Sequence, residues 1–317
     1  MQQEEGGATG ALPWPEELAA DPGDGVPRWG HAGSNLVRDF HGSPDAPLVV
    51  YSDGNHHMAL GDSLRAFAAA RPGPADVFYA TTPPGPLLRA MREGALQLGN
   101  LTLRARPHVF IGPEALVREL AGEDAWGAAE PFMRSRGNVL LVRAGNPLAI
   151  GGIGDLLRDD VRVFISNPHT ERASHRVYRD TAVALARSAG LDAQRLAEVL
   201  DRGGERIVFG ERIHHRELPE ALAAGRADVA VCYYHLALRY RRLFAPWLDF
   251  VPLGGSREAP APGPGNRITT YALTLAAEPG PWGARLRDFL QSPAVTRIYH
   301  RHGLARPDEA SPPPVSL

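Results

Sequence analysis

The sequence contains no lysine and one cysteine, and its apolar runs stay far below the ~20 residues that a membrane-spanning helix needs. All 34 basic side chains other than histidine are therefore arginine, a bias of composition and not of function. A lone Cys232 excludes an internal disulfide framework and a cysteine-built structural zinc site. It lies in the apolar run VAVCYY, which reads as a small buried hydrophobe. A net charge of -2 argues against nucleic acid or an acidic membrane surface as partner. There is no G-x-S-x-G, no HExxH, no P-loop and no helix-turn-helix segment, so neither an enzyme nor a DNA-binding protein is expected. The start, MQQEEGGATGALPWPEEL, is acidic where a signal peptide is basic, and no apolar stretch follows. As written the chain is expected in the cytoplasm, and in the periplasm if an upstream leader precedes it.

What is present is ordinary globular material, 44% hydrophobic and 22% charged over 317 residues. That length suits two α/β lobes, each with its own core. Residues 1–46 read as an N-terminal extension and 307–317 as a disordered tail, both rich in Gly, Pro and acidic groups. Between them strands and helices alternate. PLVVYS, ADVFYA and PHVFIG read as buried strands, each followed by a turn and a helix-period segment, the mark of parallel strands with helices on both faces. VRVFISNP, ERIVFGERI and ADVAVCYY repeat the pattern. LDFVPLGG and RITTYALTL read as strands returning to the first lobe. In such sheets ligands bind beyond the carboxyl ends of the strands, where helix N–H groups are unpaired.

The ordered pieces VVYSDGNHHMAL, TTPPGPLLRAMREGA, HVFIGPEAL, GNVLLVRAGNP, VFISNPHTERASHRVY, ALAAGRADVAVCYYHLA and FLQSPAVTRIYHRHGL resemble the type 2 periplasmic binding proteins. Within that fold family they are most similar to the molybdate-binding receptors of ABC transporters, over roughly residues 47–306. The resemblance implies two lobes, each a mainly parallel sheet flanked by helices, with the ligand in a cleft between them and captured by hinge closure. Lobe 1 is expected over 47–146 and 254–306, lobe 2 over 147–253, with crossings near 143–150 and 251–272. It implies a small inorganic or small-molecule ligand and an ABC permease as partner. A cytosolic ligand sensor, or an enzyme on the same fold, is the alternative.

By position the resemblance brings five loops to the ligand. They are Ser52, Asp53, Gly54, Asn55, His56 and His57; Thr81, Thr82 and Gly85; Ala173 and Ser174; His214 and His215; and Tyr233. Asn167 and His169 lie in the same turns. The family places small residues with serine where this chain has DGNHH, and small or aliphatic residues where it has His-His. Neutral imidazoles with Asp53 or Glu171 suit a transition metal, with His57, His169 and His215 as the ligand set. Protonated, with Arg172 and Arg216, they suit an oxyanion such as molybdate or tungstate. The sequence leaves both open and fixes no cofactor. Set against this, Tyr233 suits a buried strand end, Asn167 a turn, and Gly54 and Gly85 turn backbone. His31, His41, His108, His300 and His302 read as structural or surface residues.

Overall fold

A computed structural model describes residues 40–70, 72–98, 101–211 and 213–317. The chain divides into two compact units. The first holds the described part of residues 36–135 together with 269–313, and the second holds 136–268 with 314–317.

In the first unit, β1 (Phe40–His41), β2 (Leu48–Ser52), β3 (Val77–Ala80), β6 (Val109–Pro113), β7 (Glu130–Arg134) and β13 (Thr270–Leu275) form one sheet, ordered β1-β3-β2-β6-β13-β7. A small hairpin, β4 (Leu96–Leu98) and β5 (Leu101–Leu103), stands apart from it. β3, β2 and β6 run parallel, and β1, β13 and β7 are antiparallel additions, so the sheet is mixed. All five residues of β2 are buried because the sheet is covered on both faces. Leu48 and Val50 join Leu60, Leu64 and Leu286 in one core; Val49 and Tyr51 join Phe78, Leu87 and Val117 in the other. A strand with two buried faces reads as a continuous apolar run, which is how LVVYS reads. The helices that cover it are α1 (His57–Ala69), α2 (Pro84–Glu93), α3 (Glu114–Leu120), α8 (Gly280–Leu290) and α9 (Pro293–Arg301). α2 starts on Pro84, whose fixed φ suits a first turn, and stops at Gly94, left-handed at φ 71°.

The second unit has the sheet β10-β9-β11-β8-β12, built from β8 (Asn138–Arg143), β9 (Val163–Ile165), β10 (Ile207–Phe209), β11 (Val229–Tyr233) and β12 (Leu248–Pro252). β10, β9 and β11 are parallel, and β8 and β12 are antiparallel. Its helices are α4 (Arg172–Ser188), α5 (Ala193–Arg202), α6 (His214–Ala223) and α7 (Tyr234–Leu243).

The expected boundaries shift in four places. Residues 136–146 belong with the second unit, because β8 pairs with β11 and β12. Residues 254–268 belong there too, and β12 does not return to the first sheet. The chain thus divides after 135 and after 268. The end of the chain is held in place: Glu309 accepts from His300 Nε2 at 2.7 Å and the Val315 N–H donates to Glu258 at 2.9 Å. Of the expected N-terminal extension, residues 1–39 lie outside the described residues, while Phe40–His41 pairs with β3.

Where the chain passes from unit to unit, its two segments are tied side by side. In the first unit Ser135 N–H donates to Thr269 O at 2.8 Å, and Thr269 N–H to Ser135 Oγ at 2.9 Å. In the second, Asn266 Oδ1 accepts from Asn138 N–H at 2.8 Å while its Nδ2 donates to Asn138 O at 3.0 Å. Gly137, at φ 80°, has no room for a Cβ, which would stand 2.7 Å from Pro262 Cβ. Replacing Asn266 with alanine leaves a buried N–H and a buried C=O of Asn138 unpaired, at about 1–3 kcal/mol each. Urea denaturation of Asn266→Ala should therefore show a loss of about 2–4 kcal/mol, and a change within ~0.5 kcal/mol would mean that the pair does not fasten the crossover.

Candidate ligand-binding loops

Parallel neighbours end at the same edge of a sheet, so the topology gathers each unit's candidate loops there. In the first unit β2 and β3 are in register through Tyr51 and Ala80, so the loops that follow them start side by side, at Ser52 and Thr81. In the second unit the loops after β9, β10 and β11 share one edge, which carries Asn167, His169, Ala173 and Ser174, then His214 and His215, then Tyr233.

His56 is turned into the core of the first unit. It is fully buried, its ring 4.7 Å from that of Tyr271 and 5.9 Å from that of Tyr299. The Ser52 hydroxyl donates to Asp53 O at 3.2 Å and therefore accepts from His56 Nε2–H, also at 3.2 Å. Nδ1 then takes the Tyr299 hydroxyl proton at 3.0 Å. This chain of donors uses up both His56 nitrogens and the Ser52 hydroxyl, and burial lowers the imidazole pKa to about 3. His57 sits one residue on, where its Nδ1–H donates to Gly54 O at 2.8 Å. Asp53, only 4% exposed, accepts from Asn55 N–H and Nδ2, at 3.0 and 3.2 Å. Burial outweighs these bonds and raises its carboxyl to about 6. Thr82 is buried, and Gly85 is exposed with open space around it. Thr81 is fully buried, and its hydroxyl has no hydrogen-bond partner among the described residues.

In the second unit Asn167 is a turn former. Its Oδ1 accepts from His169 N–H at 2.9 Å and its Nδ2 donates to Gly210 O at 3.2 Å. His169 and Ala173 are exposed, and Ser174 is half-buried. His214 and His215 occupy the first turn of α6, not a loop, and both are buried. The His214 ring stacks on Phe164 at 5.4 Å and lies 4.8 Å from Tyr178, and burial lowers its pKa to about 3. Burial, with the charge of Arg216 beside it, also puts His215 well below the usual histidine range. Arg216 itself is buried, 1% exposed. Tyr233 is 2% exposed, stacked on His235 and edge-on to Tyr178. Among the described residues no three His, Cys, Asp or Glu side chains are grouped to hold an ion.

The sequence reading missed Ser166. It follows β9 directly, is fully buried, and has a hydroxyl without a hydrogen-bond partner among the described residues. It stands to β9 as Thr81 stands to β3, a signal that was available in ISNP. Near these hydroxyls three helices begin without a side-chain cap: α1 behind His56, α2 behind Pro83 and α4 behind Glu171. The first N–H groups of α4, and that of Gly85 between the prolines of α2, are natural anion donors, whereas the first N–H of α1 already donates to Gly54 O.

Unfolding returns each buried imidazole from about 3 to the ordinary 6.5, so the stability that its neutral state supplies is complete above pH 6.5 and is lost as pH falls toward 3. Asp53 acts in the opposite sense, its contribution being complete below 3.8 and lost as pH rises through 6. Two imidazoles outweigh one carboxylate. Urea midpoints should fall from pH 7 to pH 5 by the equivalent of about 1–2 kcal/mol, and fall more steeply in Asp53→Asn; a flat profile in both would show that these groups titrate normally.

Three solved structures place the fold. The sulfate-binding protein SubI from Mycobacterium tuberculosis aligns with TM-score 0.60 and 18% identity over 83% of this chain and 87% of its own. Iron-bound HitA from Pseudomonas aeruginosa aligns with TM-score 0.55 and 14% identity over 83% and 88%. The periplasmic molybdate-binding protein of Azotobacter vinelandii aligns with TM-score 0.50 and 17% identity over 82% and 100%. These are two-lobed solute receptors, as the sequence resemblance implied. No curated protein matches the chain in sequence. The model of one protein family spans residues 48–305, nearly everything between the two ends, and by that match the chain belongs to the bacterial extracellular solute-binding proteins.

Proposed function

We propose that this receptor captures a small oxyanion, using hydroxyl and helix N–H donors at the strand ends of each unit. The observation that carries the reading is the matched pair Thr81 and Ser166, two fully buried hydroxyls without a hydrogen-bond partner among the described residues. A buried unsatisfied polar group is unfavourable by about 1–3 kcal/mol, and a ligand oxygen relieves that penalty. The surrounding chemistry supports an anion held by dipoles: the starts of α2 and α4 supply N–H groups, and His56 and His214 are neutral. The sulfate- and molybdate-binding neighbours point to the same class.

We read the activity as binding without turnover. Cys232 is buried and burial raises its thiol pKa, which removes the one cysteine as a nucleophile. On this reading the chain delivers its solute to an ABC permease outside the cytoplasm. Among the described residues no helix is long and apolar enough to cross a membrane.

Calorimetry with sulfate, molybdate and phosphate tests the ligand class. At least one should bind, and Thr81→Val and Ser166→Ala should each weaken it about tenfold, as the loss of one buried hydrogen bond implies. Ser188→Ala, at an exposed hydroxyl on α4, should change nothing. Stabilisation by a divalent or ferric ion with no response to any oxyanion would overturn the reading.

A further inference from the structure

The loop that presents Ser166 is fastened from behind by one side chain. His175, on the first turn of α4, is 5% exposed. Its Nδ1 lies 2.8 Å from the Ser166 carbonyl oxygen, and its Nε2 lies 3.1 Å from Asp201 Oδ1 on α5. A carbonyl oxygen only accepts. Asp201 also only accepts, because Arg179 already grips both of its oxygens, Nε at 3.0 and 3.1 Å and Nη2 at 2.7 Å. A carboxylate gripped in this way is ionised. Burial raises the Asp201 pKa, but the hydrogen bonds from Arg179 and His175 outweigh it and hold the group below the usual carboxylate range. Both imidazole nitrogens therefore face acceptors, and only the cation, with a proton on each nitrogen, makes both bonds.

We propose that His175 works as an imidazolium pin which ties the Ser166 backbone to Asp201, so that the ligand loop after β9 is ordered at neutral and mildly acidic pH and loosens as pH rises. His175 is thus a positioning residue, since it acts through Ser166. The groups around it define its charge balance. From its own helix come Arg172, Arg176, Arg179 and Asp180, which line with it a depression of about 330 Å³. From α5 comes Asp201, from β10 the edge of the Phe209 ring at 6.0 Å, and from α6 the neutral His214. Among the described residues Asp201 is the one carboxylate in hydrogen-bond contact with the ring. Deprotonation removes one of two charge-assisted bonds and releases either the loop carbonyl or the acid. The turn beyond Ser166 closes through Glu171 N–H to Asn167 O at 2.9 Å and His169 N–H to Asn167 Oδ1 at 2.9 Å, so its amides report on the pin.

Two ligand-free measurements test this. Nitrogen NMR of histidine-labelled protein should show both His175 ring nitrogens protonated at pH 6, with a titration that moves to lower pH in Asp201→Asn. Amide-exchange protection at residues 169–171 should fall about five- to tenfold from pH 6 to pH 9, as expected for one lost charged hydrogen bond, and should be independent of pH in His175→Gln, which keeps a donor but cannot titrate. A ring with a single N–H from pH 5 to 9, or the same protection profile in both proteins, overturns the pin. The link to capture rests on the oxyanion reading and has its own arm, sulfate affinity against pH. Affinity that weakens with pH in the wild type and not in His175→Gln supports the link, and pH-independent affinity in the wild type overturns it. Absence of sulfate, molybdate and phosphate binding counts against the oxyanion reading alone, because the exchange data judge the pin separately.

Discussion

Three parallel strands at the heart of each sheet decide where the chemistry can lie. In the first unit the four apolar residues of β2 are divided between two cores, and in the second β11 buries all five of its residues. Polar groups can appear only where such a strand stops. Ser52, Thr81 and Ser166 stand at those stops, and a helix begins within a few residues of each. Burying hydroxyls and open helix starts without partners is unfavourable, and folds retain that penalty where a ligand relieves it. Ser52 has found its partner within the protein, in His56 and the Asp53 carbonyl. Thr81 and Ser166 have not.

The histidines divide by the company each keeps, and exposure alone does not sort them. His56 lies between a serine that accepts and a tyrosine that donates, so the neutral ring satisfies both. His175 lies between a carbonyl and a carboxylate, so the cation does. Both are buried, and both are fixed by two hydrogen bonds. His214 has aromatic rings for neighbours and is neutral through desolvation first, with the charge of His175 acting in the same sense. Outside these loops, His302 pairs with Asp62 and His300 with Glu309, both at 2.7 Å, as structural residues do.

The strand-turn-helix order was legible because burial on two faces writes itself as apolar runs such as LVVYS and VAVCY. Which sheet a run joins is set by pairing over long sequence distances, so β8, read with the first lobe, pairs instead with β11 and β12. β7, reading EPFMR, was invisible: only Phe132 and Met133 are buried, and no apolar run marks it. The edge that carries the loops could be read; the direction of each side chain on it could not. DGNHH gives the same signal whether a histidine faces a ligand or Tyr299. Ser166 was overlooked beside Asn167, the more conspicuous residue, whose side chain is occupied in making the turn.

The antiparallel strands show why the crossover segments lie beside the ligand loops. Antiparallel pairing makes the first residue of β8, Asn138, the partner of Tyr233, the last residue of β11. In the other sheet the start of β13 meets the end of β6, where Tyr271 pairs with Pro113. The chain therefore enters each unit at the edge from which that unit's loops emerge. Tyr233 packs against Tyr178, and Tyr178 against His214, while on the other side Asn138 is clasped by Asn266. A ligand that draws the strand ends of the second unit into a new position must act on Asn138 through the ladder, and on the second crossover segment through Asn266. A ligand shifts a conformational equilibrium only by its differential contacts with the two states. In the second unit Asn138 is the residue common to both, the ladder partner of Tyr233 and the backbone partner of the Asn266 side chain.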